Sequence, residues 1–197
     1  DLLDGSWRLC YILAVLCFPA PFVSFIRISF GSILMTQFTH LDESGSARMV
    51  DVTAKVETHR EAVAQGVVCM KPETARAVRA GVTAKGDVLG TAKIAGIMAA
   101  KRTSDIIPMC HPLQLTGVDI DFAVDDEAGG IAIEASVKTV GRTGVEMEAM
   151  TAVGVAALTI YDMCKSADRE ITITDVKLVK KSGGKSGTFM RDPEQQE

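Results

Sequence analysis

The 197-residue sequence predicts an α+β sandwich, with helices packed on one face of a mainly antiparallel sheet. Three observations predict it. Residues 117–124 and 130–140 alternate apolar and polar side chains around the acidic, Gly-rich turn DDEAGG, as a hairpin does. Segments of helical period lie on both sides of that hairpin, one opened by Asp87 and one running over residues 144–167. A last β-leaning run, residues 170–180, follows the second helix.

Each element has a local reason. Residues 48–52 and 66–70 are short β-leaning runs. Pro72 suits a first helical turn, and the ETARAVRAG that follows reads as a short helix stopped by Gly81. Asp87 is a good N-cap for the longer helix VLGTAKIAGIMAAKRTSD. The helix over 144–167 is rich in Ala, Met, Val and Leu and apolar nearly all round, which a surface helix is not. We therefore expect it to lie between its own sheet and another subunit. The order of the later elements resembles a ferredoxin-like arrangement. After residue 181 the chain reads as loop.

Composition narrows the function. Apolar residues make up 47% and charged residues 23%, the balance of a folded domain. The net charge of −4 excludes nucleic-acid binding through bulk charge, while leaving room for a local basic pocket. The five cysteines form no C-x-x-C pair and the three histidines no H-x₃₋₅-H pattern, so neither a zinc site nor a disulfide framework is expected.

Residues 1–34 differ from the rest. They hold the single Trp and four of the seven Phe, and residues 9–26 carry no charge. A bilayer is spanned by about 20 apolar residues. Pro19 and Pro21 break the run, however, and no small-residue cleavage site is clear. From Met35 the composition becomes ordinary. We read Met35 as the start of the native domain and 1–34 as upstream sequence included by a misplaced start, in preference to a signal peptide or membrane anchor. Residues 35–191 are the domain and 192–197 a polar tail.

Several short motifs can carry chemistry. In MCHPL, Pro112 restricts the backbone of His111 and helps aim its imidazole. A packing turn with Cys110 and His111 partly buried is the plainer reading. In GRTGVEMEAM, Glu146 and Glu148 open the long helix, where its dipole favours negative charge. Two acids beside Met147 also suit acid–base work. At the far end, Asp162 and Lys165 are spaced to pair on one face, as an ordinary salt bridge or as a desolvated Lys whose acidity is altered. Lys85 lies in TAKGD, a Gly-bounded loop where N–H groups and a Lys can meet an anion. SGGKSG lacks the spacing and helix of a Walker A loop, but a Gly/Ser hinge with Lys180, Lys181 and Lys185 could close over a polyphosphate. Glu148 and Asp162 are fourteen residues apart, hence roughly 21 Å along one helix. If both act, each site must join the start of one subunit's helix to the end of another's.

Taken in order, MVDVTAK, ETHREA, KGDVLGTAKIAGIMAAKRTSDIIPMCHPL, GRTGVEMEAMTAVGVAALTIYDMCK and KSGGKSG resemble the cyclic pyranopterin monophosphate synthase family over residues 35–191. The resemblance implies a ferredoxin-like subunit in a cytoplasmic homohexamer, a trimer of dimers, with sites between subunits. It implies a lyase of molybdenum cofactor synthesis that converts (8S)-3′,8-cyclo-7,8-dihydroguanosine 5′-triphosphate to cyclic pyranopterin monophosphate and releases diphosphate. A radical cyclising enzyme would supply the substrate. By motif match, Asp162 is the catalytic acid/base, Lys165 its partner and Lys85 a second catalytic lysine. Met109, Cys110, His111, Met147 and Glu148 line the substrate pocket, with Glu146, Arg60 and Lys181 as further site residues. No cofactor, metal, membrane or nucleic acid is expected. The competing readings are a non-catalytic nucleotide-binding regulator and a membrane-tethered scaffold using residues 1–34.

Overall fold

The structure is a computed structural model that describes residue 46 and residues 48–192. Contacts divide the chain into Asp1–Arg48 and Met49–Glu197, and every element below belongs to the second unit. The expected apolar extension 1–34, its boundary at Met35 and tail residues 193–197 lie outside the described residues.

The described elements are β1 (Thr58–Cys69), α1 (Pro72–Arg79), α2 (Val88–Ala100), α3 (Thr103–Ile106), β2 (Leu115–Asp125), β3 (Gly130–Gly141), α4 (Glu146–Cys164), β4 (Thr172–Ser182) and β5 (Phe189–Met190). The sheet order is β2-β3-β1-β4-β5 and each pairing is antiparallel. The first four strands and the helices between them have the split βαβ order of a ferredoxin-like sandwich, as the sequence predicts.

Residues paired in register share a face of a sheet. Ala62, Ala64 and Val68 of β1, Ile131, Ile133, Ala135 and Val137 of β3, and Ile120 of β2 are all fully buried. Gly66 shares this face, and a Cβ there would stand 2.6 Å from Cγ1 of Val153 in α4, which marks the helix side. Each fully buried Ile or Val contributes roughly 1.5–3 kcal/mol. The opposite face mixes Val63, Val67 and Ala132 with polar side chains. There Glu61 bridges Lys180 at 3.2 Å and Lys138 at 3.5 Å, and Gln65 donates to Glu134 at 2.8 Å.

The long helix α4 is long and apolar enough to cross a membrane by length and composition, yet half of it is buried inside the fold. Its buried residues are Glu148, Ala149, Ala152, Val153, Ala156, Ala157, Ile160, Met163 and Cys164. Its other side presents Met147, Thr151, Gly154 and Leu158, with Leu158 58% exposed.

Several boundaries differ from expectation. Residues 48–52 form no strand: Asp51 accepts a hydrogen bond from the backbone N–H of Thr53 at 2.8 Å, a local turn that competes with a ladder. The real first strand starts at Thr58, eight residues before the expected run. Its outward positions carry charge, which hid the alternation of Ala62, Ala64, Gly66 and Val68. Helix α2 stops at Ala100 rather than continuing to residue 105, because the Thr103 hydroxyl takes the carbonyls of Ala99 and Ala100. Helix α4 occupies Glu146–Cys164 within the expected 144–167. The last long strand is shifted to Thr172–Ser182, since the Asp168 carboxylate holds the N–H of Glu170 in a turn at 3.0 Å. The segment expected as loop includes β5, which pairs with β4 and is secured by the Arg191 Nε donating to the Leu178 carbonyl at 2.8 Å.

Asp87 caps α2 as predicted, accepting from the Gly90 N–H at 2.9 Å. Helices α2 and α4 then cross closely at Gly96. A Cβ at Gly96 would meet Cδ1 of Ile120 at 2.5 Å and the backbone oxygen of Ala152 at 2.9 Å. Gly96→Ala therefore has to push α2 off both α4 and β2, and is expected to destabilise the fold by about 1–3 kcal/mol. Denaturant unfolding monitored by circular dichroism checks this, and a midpoint equal to the native one would contradict the close crossing.

Candidate functional site

The C-terminal end of α4 gathers three of the expected residues. Lys165 Nζ stands 2.6 Å from Asp162 Oδ1, one helical turn apart. Lys85 arrives from the α1–α2 loop and donates to Asp162 Oδ2 at 3.0 Å and to the Asp162 backbone carbonyl at 2.7 Å. That carbonyl belongs to the last turn of the helix, where unpaired oxygens attract a cation. The loop is turned tightly to deliver Lys85. Gly86 takes φ +85°, and the Thr83 hydroxyl donates to the Gly86 carbonyl at 2.6 Å. A cavity of about 210 Å³ lies beside it, lined among others by Thr74, Val82, Thr83, Met163 and Cys164.

Charge state follows from this geometry. Lys165, and then Lys85, hold the Asp162 carboxyl below the ordinary carboxylate range. Asp162 in turn raises the ammonium of Lys165. The desolvation that the apolar helix suggested for Lys165 is not found: Lys165 and Asp162 are both more than half exposed. Asp162 is thus an ionised acceptor between two cations.

The N-terminal end of α4 gathers a second group. Glu146 Oε1 pairs with Lys181 Nζ at 3.2 Å, and Lys181 also donates to the Ser186 hydroxyl at 3.1 Å. Gly184, at φ +72°, lies directly on the Arg60 guanidinium, so a Cβ there would meet Nη1 at 2.2 Å. Arg60 uses Nε and Nη2 on the carbonyls of Gly141 and Arg142, at 2.9 and 3.0 Å. Its contacts brace the turn that leads into α4.

Glu148 differs from its neighbour Glu146. Its side chain turns inward and is only 4% exposed. Burial pushes its carboxyl up to about 7, with the charge of Glu146 adding to the shift. The helix dipole offered by the sequence as a reason for both acids is outweighed here by desolvation. Cys110 is half-buried, and its thiol is pushed up first by burial and then by Glu148. Met109 and His111 flank it on the segment after α3 and are also half-buried.

The structure therefore brings together Lys85, Asp162 and Lys165 at one end of α4. It brings Glu146 and Lys181 together at the other end, with Arg60 under the Gly184 loop and Glu148 close enough to Cys110 to act on it. The two groups stand about 21 Å apart by helix rise and do not meet in the chain. Spacing alone does not single out Arg142, whose side chain reaches Thr53 and Glu57, or Asp51, whose carboxylate lies within electrostatic reach of His111. Their only signal was membership of the motifs GRTGVEMEAM and MVDVTAK.

A family model described as the MoaC family matches residues 49–184, which include Arg60, Lys85, Glu146, Glu148, Asp162, Lys165 and Lys181. The chain belongs to the MoaC family. Three curated relatives are each named cyclic pyranopterin monophosphate synthase. The protein of Heliobacterium modesticaldum is 61% identical over 158 residues, covering 80% of this chain and 99% of its own. That of Roseiflexus sp. is 63% identical over 158 residues, covering 80% and 100%. That of Thermomicrobium roseum is 58% identical over 161 residues, covering 82% and 97%.

Glu148 gives a pH test of the site. An unfolded Glu ionises near its ordinary value of 4.5, whereas the folded one waits until about 7. Below both values the residue has no effect on stability. As pH rises between them the unfolded chain loses its proton first, so the folded state is progressively destabilised, and fully so above about 7. Glu148→Gln is expected to stabilise the fold by at most about 3 kcal/mol at alkaline pH and to lose that advantage in acid. Denaturant melts across the pH range check the sign, and an advantage that grew in acid would refute it.

Proposed function

We propose that this MoaC-family chain converts (8S)-3′,8-cyclo-7,8-dihydroguanosine 5′-triphosphate to cyclic pyranopterin monophosphate and diphosphate, the lyase step for which its relatives are named. The observation that carries the reading is Asp162 held between Lys85 and Lys165. Opening a purine ring and closing a pyran ring needs groups that take and give protons, and closing a cyclic phosphate needs cations on the phosphates. Ionised Asp162 accepts a proton from the substrate. The ammonium groups of Lys85 and Lys165 donate protons and neutralise developing charge. Glu148 changes charge close to neutral pH, so it can deliver a proton where Asp162 cannot. Lys181 and Arg60, under the Gly184 loop, face the phosphates; Met109, Cys110, His111 and Met147 line the pocket, and Glu146 holds Lys181 in place.

In this reading the active unit is residues 35–191 in a cytoplasmic homohexamer, a trimer of dimers, with sites shared between subunits. The α4 residue Leu158, 58% exposed, and the α2 residues Ile94 and Met98, 63% and 49% exposed, support a covered apolar surface. A second copy laid against it joins the Asp162 end of one α4 to the Glu148 end of another and desolvates the lysines. The chemistry requires no cofactor, and the substrate comes from a radical cyclising enzyme.

The test is diphosphate release by the purified full chain, and by a Met35-start chain, fed the product of the cyclising enzyme. Asp162→Asn and Lys165→Ala are expected to lower turnover by roughly 10²–10⁴-fold while keeping fold and assembly. Native turnover in either variant removes that residue from the mechanism, and no release from the native chain removes the activity itself.

A further inference from the structure

Asp168 lies outside the motifs that carry the proposed chemistry, yet it is the most deeply buried acid among the described residues, 2% exposed. Both of its carboxylate oxygens accept from backbone N–H groups, and the two donors come from different parts of the fold. Oδ1 accepts from Glu170 at 3.0 Å, within the turn between α4 and β4. Oδ2 accepts from Lys71 at 2.8 Å, at the junction between β1 and α1. The residue is fixed to the end of α4 by its own backbone. The N–H groups of Ala167 and Asp168 both donate to the Cys164 carbonyl, at 2.9 and 3.1 Å.

From Lys71 a run of hydrogen bonds leads back to α4. The Lys71 carbonyl accepts from the N–H groups of Thr74 and Ala75, at 2.9 and 3.1 Å, and so starts α1. Gly81 and Val82 close the helix on the Val78 and Ala77 carbonyls, each at 3.1 Å, and Gly86 closes the loop on the Thr83 carbonyl at 3.1 Å. Lys85 then reaches Asp162. Helix α1 and its loop are thus attached to one end of α4 at two points, Asp168 and Asp162. The cavity of about 210 Å³ lies between these elements, with Glu73, Thr74 and Ala77 on the α1 side and Met163, Cys164 and Ala167 on the α4 side. Space rather than packed side chains separates them there, so the attachments set the distance. On its other side α1 is held to the β2–β3 hairpin. Arg76 Nη1 donates to the Asp126 carbonyl at 3.3 Å, and Arg79 Nε stands 3.4 Å from Asp126 Oδ2.

We propose that Asp168 is a positioning residue for the Asp162 site: by anchoring the start of α1 to the end of α4, it sets where the loop after α1 delivers the Lys85 ammonium. An aspartate suits this task because its two oxygens serve two segments at once. The Lys71 side chain has no part in it. Its Nζ makes an exposed ion pair with Glu170 at 3.4 Å, a kind of contact that stabilises little. What Lys85 does in turnover rests on the function proposed above; its placement by Asp168 does not.

Lys71 allows the bond to be cut by itself. Its φ of −66° is the angle proline requires, so Lys71→Pro removes the N–H without altering that angle, whereas Lys71→Ala keeps the N–H and removes the ion pair. The readout is the carboxyl titration of Asp162 in the full chain carrying isotope-labelled aspartate, assigned by its loss in Asp162→Asn. Lys165 first and then Lys85 hold that carboxyl below the ordinary range, so displacing Lys85 raises it. Lys85→Ala is expected to raise the titration, and Lys71→Pro and Asp168→Asn to raise it in the same direction and by no more. Lys71→Ala is expected to leave it native. Lys71→Pro adds nothing in the Lys85→Ala background, because it acts through that lysine. In turnover, Lys71→Pro and Asp168→Asn each lower kcat/KM on the order of 10- to 100-fold, the cost of a misplaced group, and Lys71→Ala does not. A native Asp162 titration in folded Lys71→Pro or Asp168→Asn, an equal rise in Lys71→Ala, or a further rise on top of Lys85→Ala would each overturn the proposal. So would loss of the fold in both Lys71→Pro and Asp168→Asn, which would make the bond a requirement of folding rather than of placing Lys85. If the native chain shows no turnover the proposed function fails, and the Asp162 titration still decides the role of Asp168.

Discussion

Burial of α4 across the sheet governs the rest of this domain. The helix has 19 residues and is about 28 Å long, and its inner face supplies six fully buried side chains to the core it shares with α2, β1 and β3. Small residues make the contact intimate: Gly66 beneath Val153, and Gly96 against the Ala152 carbonyl, leave no space for a methyl group. With the middle of the helix held in this way, its ends are placed to within the width of a side chain. The sheet margins and loops then deliver their own groups to those ends. Lys85 comes from the loop before α2, and Lys181 from the end of β4.

The two ends carry carboxylates in opposite electrostatic situations. Asp162 is surrounded by water and two ammonium groups, and both favour the ionised form. Glu148 is shielded from water and has the charge of Glu146 nearby, and both favour the neutral form. Near neutrality one helix therefore carries an ionised carboxylate at one end and a carboxyl that titrates at about 7 at the other. This contrast explains why the acids were not interchangeable readings of the same helix: the dipole acts on all first-turn residues, while burial acts only on those turned inward.

Much of the scaffold was legible residue by residue. Alternation in residues 117–124 and 130–140 identified the hairpin because that pair has one wet and one dry face. Asp87 identified the start of α2 because few other side chains satisfy the free N–H groups there. Strand β1 was less legible. Flanked by β3 and β4, it carries Arg60, Glu61 and Gln65 among its alanines, and local pattern cannot tell such a run from a helix. The tail was misread for a related reason, since Phe189–Met190 becomes a strand only by using the free edge of β4. In the site, Asp162 with Lys165 could be paired from spacing because both ride one helix. Lys85 could not be added that way, being 77 residues from its partner.

The sequence by itself determined the fold class, the alternation of the β2–β3 hairpin and the family, since these follow from short-range periodicity and from motifs read along the chain. Tertiary structure alone decided which charges remote in sequence meet, which carboxyl is ionised and how residues 49–57 are attached. These depend on distances between segments remote in sequence and on how much water each group retains. Neither quantity is carried by any single stretch of residues. Glu148 shows the difference most plainly, because its place in the first turn of a helix favours a charged side chain whereas its burial favours a proton.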